Sequence, residues 1–338
     1  MAAATMYVTA AGAGVKDGTT WAKAMGSTEF ITDLTGSAEP GDIYYIAEGS
    51  YSVTATCTVA ANGTAALPIT LIGVKSGTSN TPPVYADYAD TNLSVSATDE
   101  RPVFACTIYL FTFTNYCKVY NLAFTGSGTS TVVTGTSNIL YNVKSTNSGV
   151  ATRYAFNTGT MTTLIKCYGE STNGYGVYSV TFGCSMLFCD FAHMHTGIYI
   201  NVNGPYATIA FCGFHDGITG INMLASYGIR ILNCSFWGIT NLVSASSAYG
   251  CVCINNALQW ATNGFIWTTK EDINFFFNNH ISNEGGGLTN PWVNVSTDPP
   301  HEDPDVTSGE LGWSTNFALS STTTGRDTGM SASLNVGL

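Results

Sequence analysis

LIKCYGE at 164–170, LFCDF at 187–191, AFCGF at 210–214, LNCSF at 232–236, INNAL at 254–258 and FNNHI at 277–281 are six copies of one short phrase. Aligned on Cys167, Cys189, Cys212, Cys234, Asn256 and Asn279, they step by 22, 23, 22, 22 and 23 residues. A second phrase keeps the same beat: YGVYSV, TGIYIN, TGINML, TNLVSA and NGFIWT, aligned on Gly176, Gly197, Gly220, Asn241 and Gly264. Two phrases on one period make a repeat, and the repeat decides the architecture.

Each phrase has only a few residues, alternates apolar with small or polar side chains, and runs into Gly, Asn, Ser or Thr. That is strand-and-turn chemistry, too short for helices. A repeat of ~22 residues that holds only short strands cannot bury its own apolar face and must stack on its copies. Leucine-rich repeats share this period, but their recurring Leu positions and helical half are absent. The expectation is an all-β chain: a single-stranded right-handed parallel β-helix, one rung per repeat, with equivalent residues about 4.8 Å apart along the axis. Cys167, Cys189, Cys212 and Cys234 should then form one inward column that Asn256 and Asn279 continue. Upstream, CKVYNLAF at 117–124 and NILYNVKS at 138–145 read as rungs whose Asn121 and Asn142 hold the same column position.

The 338 residues suit one solenoid with caps: 1–40 an N-terminal strand and capping helix, 41–282 the coil with a loop insertion near 75–102, and 283–338 an irregular C-terminal cap. Charged residues make up 10% of the chain against about 25% on average. The net charge is −11 with 11 Lys and Arg, and no basic stripe is present, which argues against nucleic acid or an anionic membrane as partner. No apolar run approaches the ~20 residues of a membrane span. The N-terminal MAAATMYVTAAGAG carries neither a basic segment nor a signal-peptide apolar core, so export by that route is not expected. Ten cysteines sit where packing wants small apolar groups and are expected as free, buried thiols.

The order GTTWAKA at 18–24, PGDIYYIAEGSY at 40–51 and PITLIGV at 68–74 resembles the entry to pectate-lyase-like β-helices, which include bacterial and phage surface proteins. The resemblance implies a helix near Trp21 to Leu34 that caps the first rung, as an exposed parallel edge would otherwise invite aggregation. NFALSSTTTGRDTGM at 316–330 resembles, more faintly, the closing segment of such proteins, with Phe317, Leu319, Asp327 and Gly329 at matching positions.

Hydrolases on this scaffold need two or three carboxylates around one glycosidic bond, and lyases need a cation site plus a Lys or Arg. Between Val103 and Lys270 the carboxylates are Glu170, Asp190 and Asp216. Counting from the cysteine column, Glu170, His193, His195, His215 and Asp216 should meet on one turn, with Asp190 just before it. Such a corner could bind Zn²⁺ or exchange protons near neutral pH; its alternative is a polar turn that meets water. The sequence commits no residue to catalysis or to a metal and calls for no cofactor.

Outward aromatics are the other signal. Trp237, Trp260 and Trp267, with Tyr199, Tyr206 and Tyr227, fall at mixed parities, and Phe275, Phe276 and Phe277 must point both into the coil and out of it. Exposed apolar surface on this scale marks an interface or a sugar-stacking face. The leading expectation is a non-enzymatic virion surface protein, a phage-type capsid decoration or cement protein that forms a homotrimer and docks on a capsid or other virion protein. The alternatives are a polysaccharide lyase or hydrolase working through the His/Asp corner, and a glycan-binding tailspike or adhesin.

Overall fold

The computed structural model describes residues 3–89, 100–107, 110–149, 153–179, 182–201, 206–224, 226–246, 251–254, 256–259, 263–267, 273–277 and 280–282; beyond Asn256 it describes backbone alone. The chain divides into two compact units, Met1–Tyr178 and Ser179–Leu338. Each is a stack of short strands paired in parallel, so the expected parallel β-helix is the fold.

In the first unit one sheet runs Thr5–Val8, Ile43–Ala47, Ile69–Val74, Cys117–Tyr120, Ile139–Tyr141 and Thr163–Ile165, each strand parallel to the next. A second run is Ser50–Ser52, Val103–Thr107, Ala123–Gly126, Lys144–Asn147 and Tyr168–Ser171. A third is Cys57–Thr58, Phe111–Phe113, Ser130–Thr134 and Tyr154–Thr158. Tyr51, Phe104 and Phe124 stack one above the other in the core, with successive ring centroids at 4.9 and 5.3 Å. The cap is divided: a 3-10 turn at Trp21–Lys23 and an α-helix at Ser27–Gly36. The Glu29 carboxylate accepts the Gly26 N–H at 3.2 Å and so fixes the helix start. Phe30 and Leu34, one turn apart, are fully buried, and the Phe30 ring lies 5.5 Å from Tyr44 and 5.9 Å from Phe104. The helix therefore closes the end of the aromatic core, as expected.

The second unit repeats the plan. Ser185–Leu187, Thr208–Ala210, Arg230–Leu232, Cys251–Ile254 and Ile273–Phe277 form one parallel run. Asp190–Ala192, Gly213–Leu224, Ser235–Ser246, Ala257–Gln259 and His280–Ser282 form another, and Thr196–Ile200 and Asn263–Trp267 pair with the later halves of the two long strands. Cys189, Cys212, Cys234 and Asn256 stand in register, as the period predicted. The three thiols are buried, and those of Cys212 and Cys234 donate to the carbonyls of Met186 and Ile209 on the preceding rung at 3.4 and 3.5 Å. Burial, reinforced by the neighbouring cysteines, pushes the Cys212 thiol well above its ordinary value, so it is inert. All ten cysteines are free and buried. Asn256 enters the column by giving the Cys234 N–H an acceptor at 2.9 Å and donating to the Ile231 carbonyl at 3.1 Å.

Two register assignments shift by one residue. In the first unit Leu122, Val143 and Cys167 share the column, whereas Asn121 and Asn142 precede it, in register with Lys166. Those three adopt left-handed φ values of 57°, 54° and 52°, which Asn tolerates better than most residues, and form the corner between two sheets. The asparagine ladder nevertheless exists: Asn142 Nδ2 donates to Asn121 Oδ1 at 2.8 Å inside the corner. In the second unit Gly197 and Gly220 align with Leu242 and Gly264, and Asn241 falls one place earlier, beside Thr219. A Cβ on Gly220 would come within 2.6 Å of the Phe236 ring, so the glycine admits the ring stack beneath it. Asn279 and Trp260, and the whole expected C-terminal cap at 283–338, lie outside the described residues.

Phe191, Phe214 and Phe236 are that stack, with centroids at 5.4 and 4.8 Å. Phe214→Ala removes its middle ring and should cost ~3–5 kcal/mol of unfolding free energy. Ile218→Ser, at a side chain 45% exposed, should stay within about 0.5 kcal/mol. Urea unfolding followed by circular dichroism measures both.

Candidate functional site: the histidine and aspartate corner

The corner is built by two adjacent rows of the second unit. Ala192, His215 and Trp237 stand in register at the end of one strand run. The next row is His193, Asp216 and Gly238, with φ of 49°, 55° and 59°. The chain turns there in a left-handed conformation on three successive rungs, which swings the side chains of His193 and Asp216 outward. Gly213 occupies the place in register with Asp190, and with no side chain there the imidazole two residues on reaches across to that carboxylate.

His215 is held from both sides. Its Nδ1 is 2.9 Å from Asp216 Oδ2, and its Nε2 is 3.4 Å from each oxygen of Asp190. The second bond is aimed at Oδ2, so Oδ1 of Asp190 is buried without a hydrogen bond. Asp190 is nearly buried and the His215 side chain is 24% exposed. The hydrogen bond to Asp190 pushes His215 up to about 9; burial opposes this, and the Asp216 carboxylate adds to it. At neutral pH the ring is therefore an imidazolium with both N–H groups engaged. It has no lone pair to act as a base, but it carries a proton that it can give up.

His193 and His195 join only in part. His193 is well exposed, its Nε2 3.8 Å from Asp216 Oδ2 and its ring centroid 6.1 Å from that of His215. His195 is exposed and turns to the Thr196 hydroxyl, 3.2 Å from Nδ1. Glu170 belongs to the first unit, on the strand Tyr168–Ser171, and accepts the Tyr168 hydroxyl at 3.1 Å. Among the described residues no group of three or more His, Cys, Asp or Glu side chains is placed to hold a metal ion. Trp237 is 38% exposed, its ring 6.3 Å from His215. Phe276 shares the register of the buried Cys253, with Phe275 and Phe277 on either side, and Trp267 ends the strand Asn263–Trp267; the side chains of these four lie outside the described residues.

Sequence reasoning missed a second constellation. Lys75, Tyr85, Tyr88, Tyr120, Asn121 and Tyr141 line a cleft of about 360 Å³ in the first unit. The available signal was the tyrosine that precedes the asparagine in both CKVYNLAF and NILYNVKS.

The sequence matches no family model and no curated protein. Solved structures share the fold. The pectate lyase Pel9A superposes with a TM-score of 0.64 at 13% identity, over 88% of this chain and 82% of that one. A rhamnogalacturonan lyase does so with 0.51 at 11% identity, over 81% and 87%. An alginate lyase from Paenibacillus sp. gives 0.47 at 11% identity, over 86% and 96%. The first two superpositions give the chain the pectate-lyase-like parallel β-helix fold that its N-terminal phrases resemble.

The corner generates a pH prediction. The folded value of His215 lies above its ordinary 6.5, so its stabilising contribution is complete below that pH and disappears as pH rises through about 9. Thermal midpoints should fall across that window in the wild type and fall less in His215→Gln. In Asp190→Asn the His215 imidazole resonances, followed by NMR, should titrate well below pH 9. An unchanged midpoint would mean that Asp190 does not hold the proton.

Proposed function

We propose that the chain acts by assembly: a structural β-helix that associates as a homotrimer and docks on a particle, in the manner of a virion decoration protein. The supporting observation is the outer face of one sheet of the second unit. Met186, Ile209, Ile231 and Cys253 fill the interior, so their neighbours Leu187, Ala210, Leu232 and Ile254 point away from it, in one register. An outward row on a solenoid would ordinarily be polar. Here it is aliphatic through four rungs, and Leu187, Leu232 and Ile254 stay part-exposed.

Aromatic pairs flank this row. Phe188 and Phe211, at the corner that follows, stack at 4.9 Å with planes 9° apart. Phe182 and Tyr206, at the corner that precedes, meet edge to face at 5.6 Å, and both are about half exposed. A straight ladder with a rung spacing of about 4.8 Å is complementary to another of the same spacing, so copies can pack sheet on sheet at about 10 Å. Each part-exposed Leu or Ile so covered contributes up to ~1.5–3 kcal/mol. With 10% charged residues the chain has few ionic groups to keep such faces apart. Docking on a capsid or other virion protein, with residence at the virion surface, extends the same reading.

The corner favours a second reading, polysaccharide cleavage, because an imidazolium between two carboxylates can deliver a proton to a leaving oxygen. Light scattering on the full chain separates the two. Assembly predicts a trimer that Leu232→Glu converts to monomer without loss of the β-sheet circular dichroism signal. A wild-type monomer that releases reducing ends or unsaturated products from mixed polysaccharides, with turnover lost in His215→Gln, would replace the assembly reading with the enzymatic one.

A further inference from the structure

The tyrosine cleft lies wholly in the first unit and shares no residue with the face used to argue assembly. Its floor is made by Tyr120 and Tyr141, in register on successive strands with ring centroids 6.2 Å apart. Both side chains point outward, since Val119 and Leu140 beside them are fully buried. Its wall is the segment after Ile69–Val74, where a 3-10 turn at Tyr85–Asp87 carries Tyr85 and Tyr88, their rings 5.8 Å apart and edge to face.

That wall is held in place. The Lys75 N–H donates to the Asp87 carbonyl at 2.8 Å and the Ala89 N–H to the Gly73 carbonyl at 3.1 Å, which lays the segment back on its own strand. The Asp87 carboxylate accepts from Asn80 Nδ2 at 2.7 Å and from the Val84 N–H at 2.8 Å. The Trp21 indole N–H reaches over to the Asn80 carbonyl at 2.9 Å. Beneath, Tyr88 and Tyr120 pack on the buried cluster of Tyr7, Tyr45, Ile72 and Val74. Yet Tyr85 itself is 88% exposed, an aromatic ring presented to solvent on a segment that is tied down along its length. A backbone fixed before a ligand arrives loses little freedom on binding.

The volume of about 360 Å³ is in the range of small-ligand sites, about 300–1,000 Å³. Four phenol rings offer flat apolar faces with hydroxyls at their rims, which suits a ligand that is itself flat, part apolar and edged with hydroxyls. Charge selects further. The Lys75 ammonium is already 3.7 Å from the Glu100 carboxylate, and the chain as a whole carries −11. An acidic sugar would meet a neutralised lysine within a repelling field. We infer that this cleft binds a neutral pyranose, as a terminal sugar or a short stretch of a neutral glycan, by stacking on Tyr85, Tyr88, Tyr120 and Tyr141.

Saturation-transfer NMR on the full chain tests this with methyl β-galactopyranoside and methyl α-glucopyranoside as probes, and galacturonic acid and adenosine as comparators. Transfer to the ring C–H protons of at least one neutral glycoside is expected. In Tyr85→Ala, whose exposure spares the fold, affinity should weaken roughly tenfold, and Tyr120→Phe, which keeps the ring, should retain it. Equal thermal midpoints for wild type and variants show that the loss is local. No transfer to either glycoside, equal transfer in Tyr85→Ala, or stronger binding of galacturonic acid or adenosine would each overturn the proposal. None of these results depends on whether the chain trimerises.

Discussion

In a coil one residue thick per rung, a buried side chain finds its partners chiefly in the copies above and below it. This vertical confinement governs many of the polar groups that enter the interior, though Ser145 and Tyr51 find carbonyls within their own rungs. Asn142 donates to Asn121, the thiols of Cys212 and Cys234 donate to carbonyls one rung back, and Asn256 serves the Cys234 N–H. A sulfhydryl or an amide is tolerated in the column because the repeat supplies an acceptor at the same height in the neighbouring rung. In the second unit the column itself holds thiols and one amide, and the buried charged side chains Asp42, Arg101 and Asp190 lie outside it.

The same confinement explains which parts of the fold were legible. The cysteine period predicts the register of the second unit directly, because a stack fixes spacing and little else. The asparagines upstream misled by one residue. Asn121 and Asn142 repeat with the right beat, but repetition gives the period and leaves the phase open. What sets the phase is backbone conformation: the corner needs a residue in the left-handed region, and asparagine fills it in the first unit as readily as it fills a column in the second. A recurring side chain can mark the corner or the core, and residue type alone does not separate them. Gly220 and Asn241 fall one place out of register for a similar reason. Both are small-residue signals on the same beat, but the place beside Gly220 that admits a ring is shared with Gly197, not with Asn241.

The candidate site was legible only where it rode on the repeat. Counting along the rungs brought His215 to Asp216 and Asp190, because all three occupy fixed offsets from the column. The same count could not foresee that the imidazole would be gripped on both nitrogens, a matter of side-chain torsion across the gap at Gly213. The tyrosine cleft was half visible. Tyr120 and Tyr141 repeat in the sequence, but Tyr85 and Tyr88 come from a segment outside any rung, which the Asp87 carboxylate ties together.

These surfaces share one origin. A rung adds a residue of each kind to every outer row, so a coil writes long rows of like side chains on its exterior as readily as in its core. An aliphatic row lines one outer face of the second unit, and two tyrosines in register make the floor of the cleft. Where a row is interrupted, as by Gly213 between Asp190 and Ser235, the gap becomes a place for a neighbouring side chain to cross rungs. Surface features on such a scaffold therefore arise in two ways, from continuing a row and from breaking one. The aliphatic face and the tyrosine floor are of the first kind, and the His215 corner is of the second.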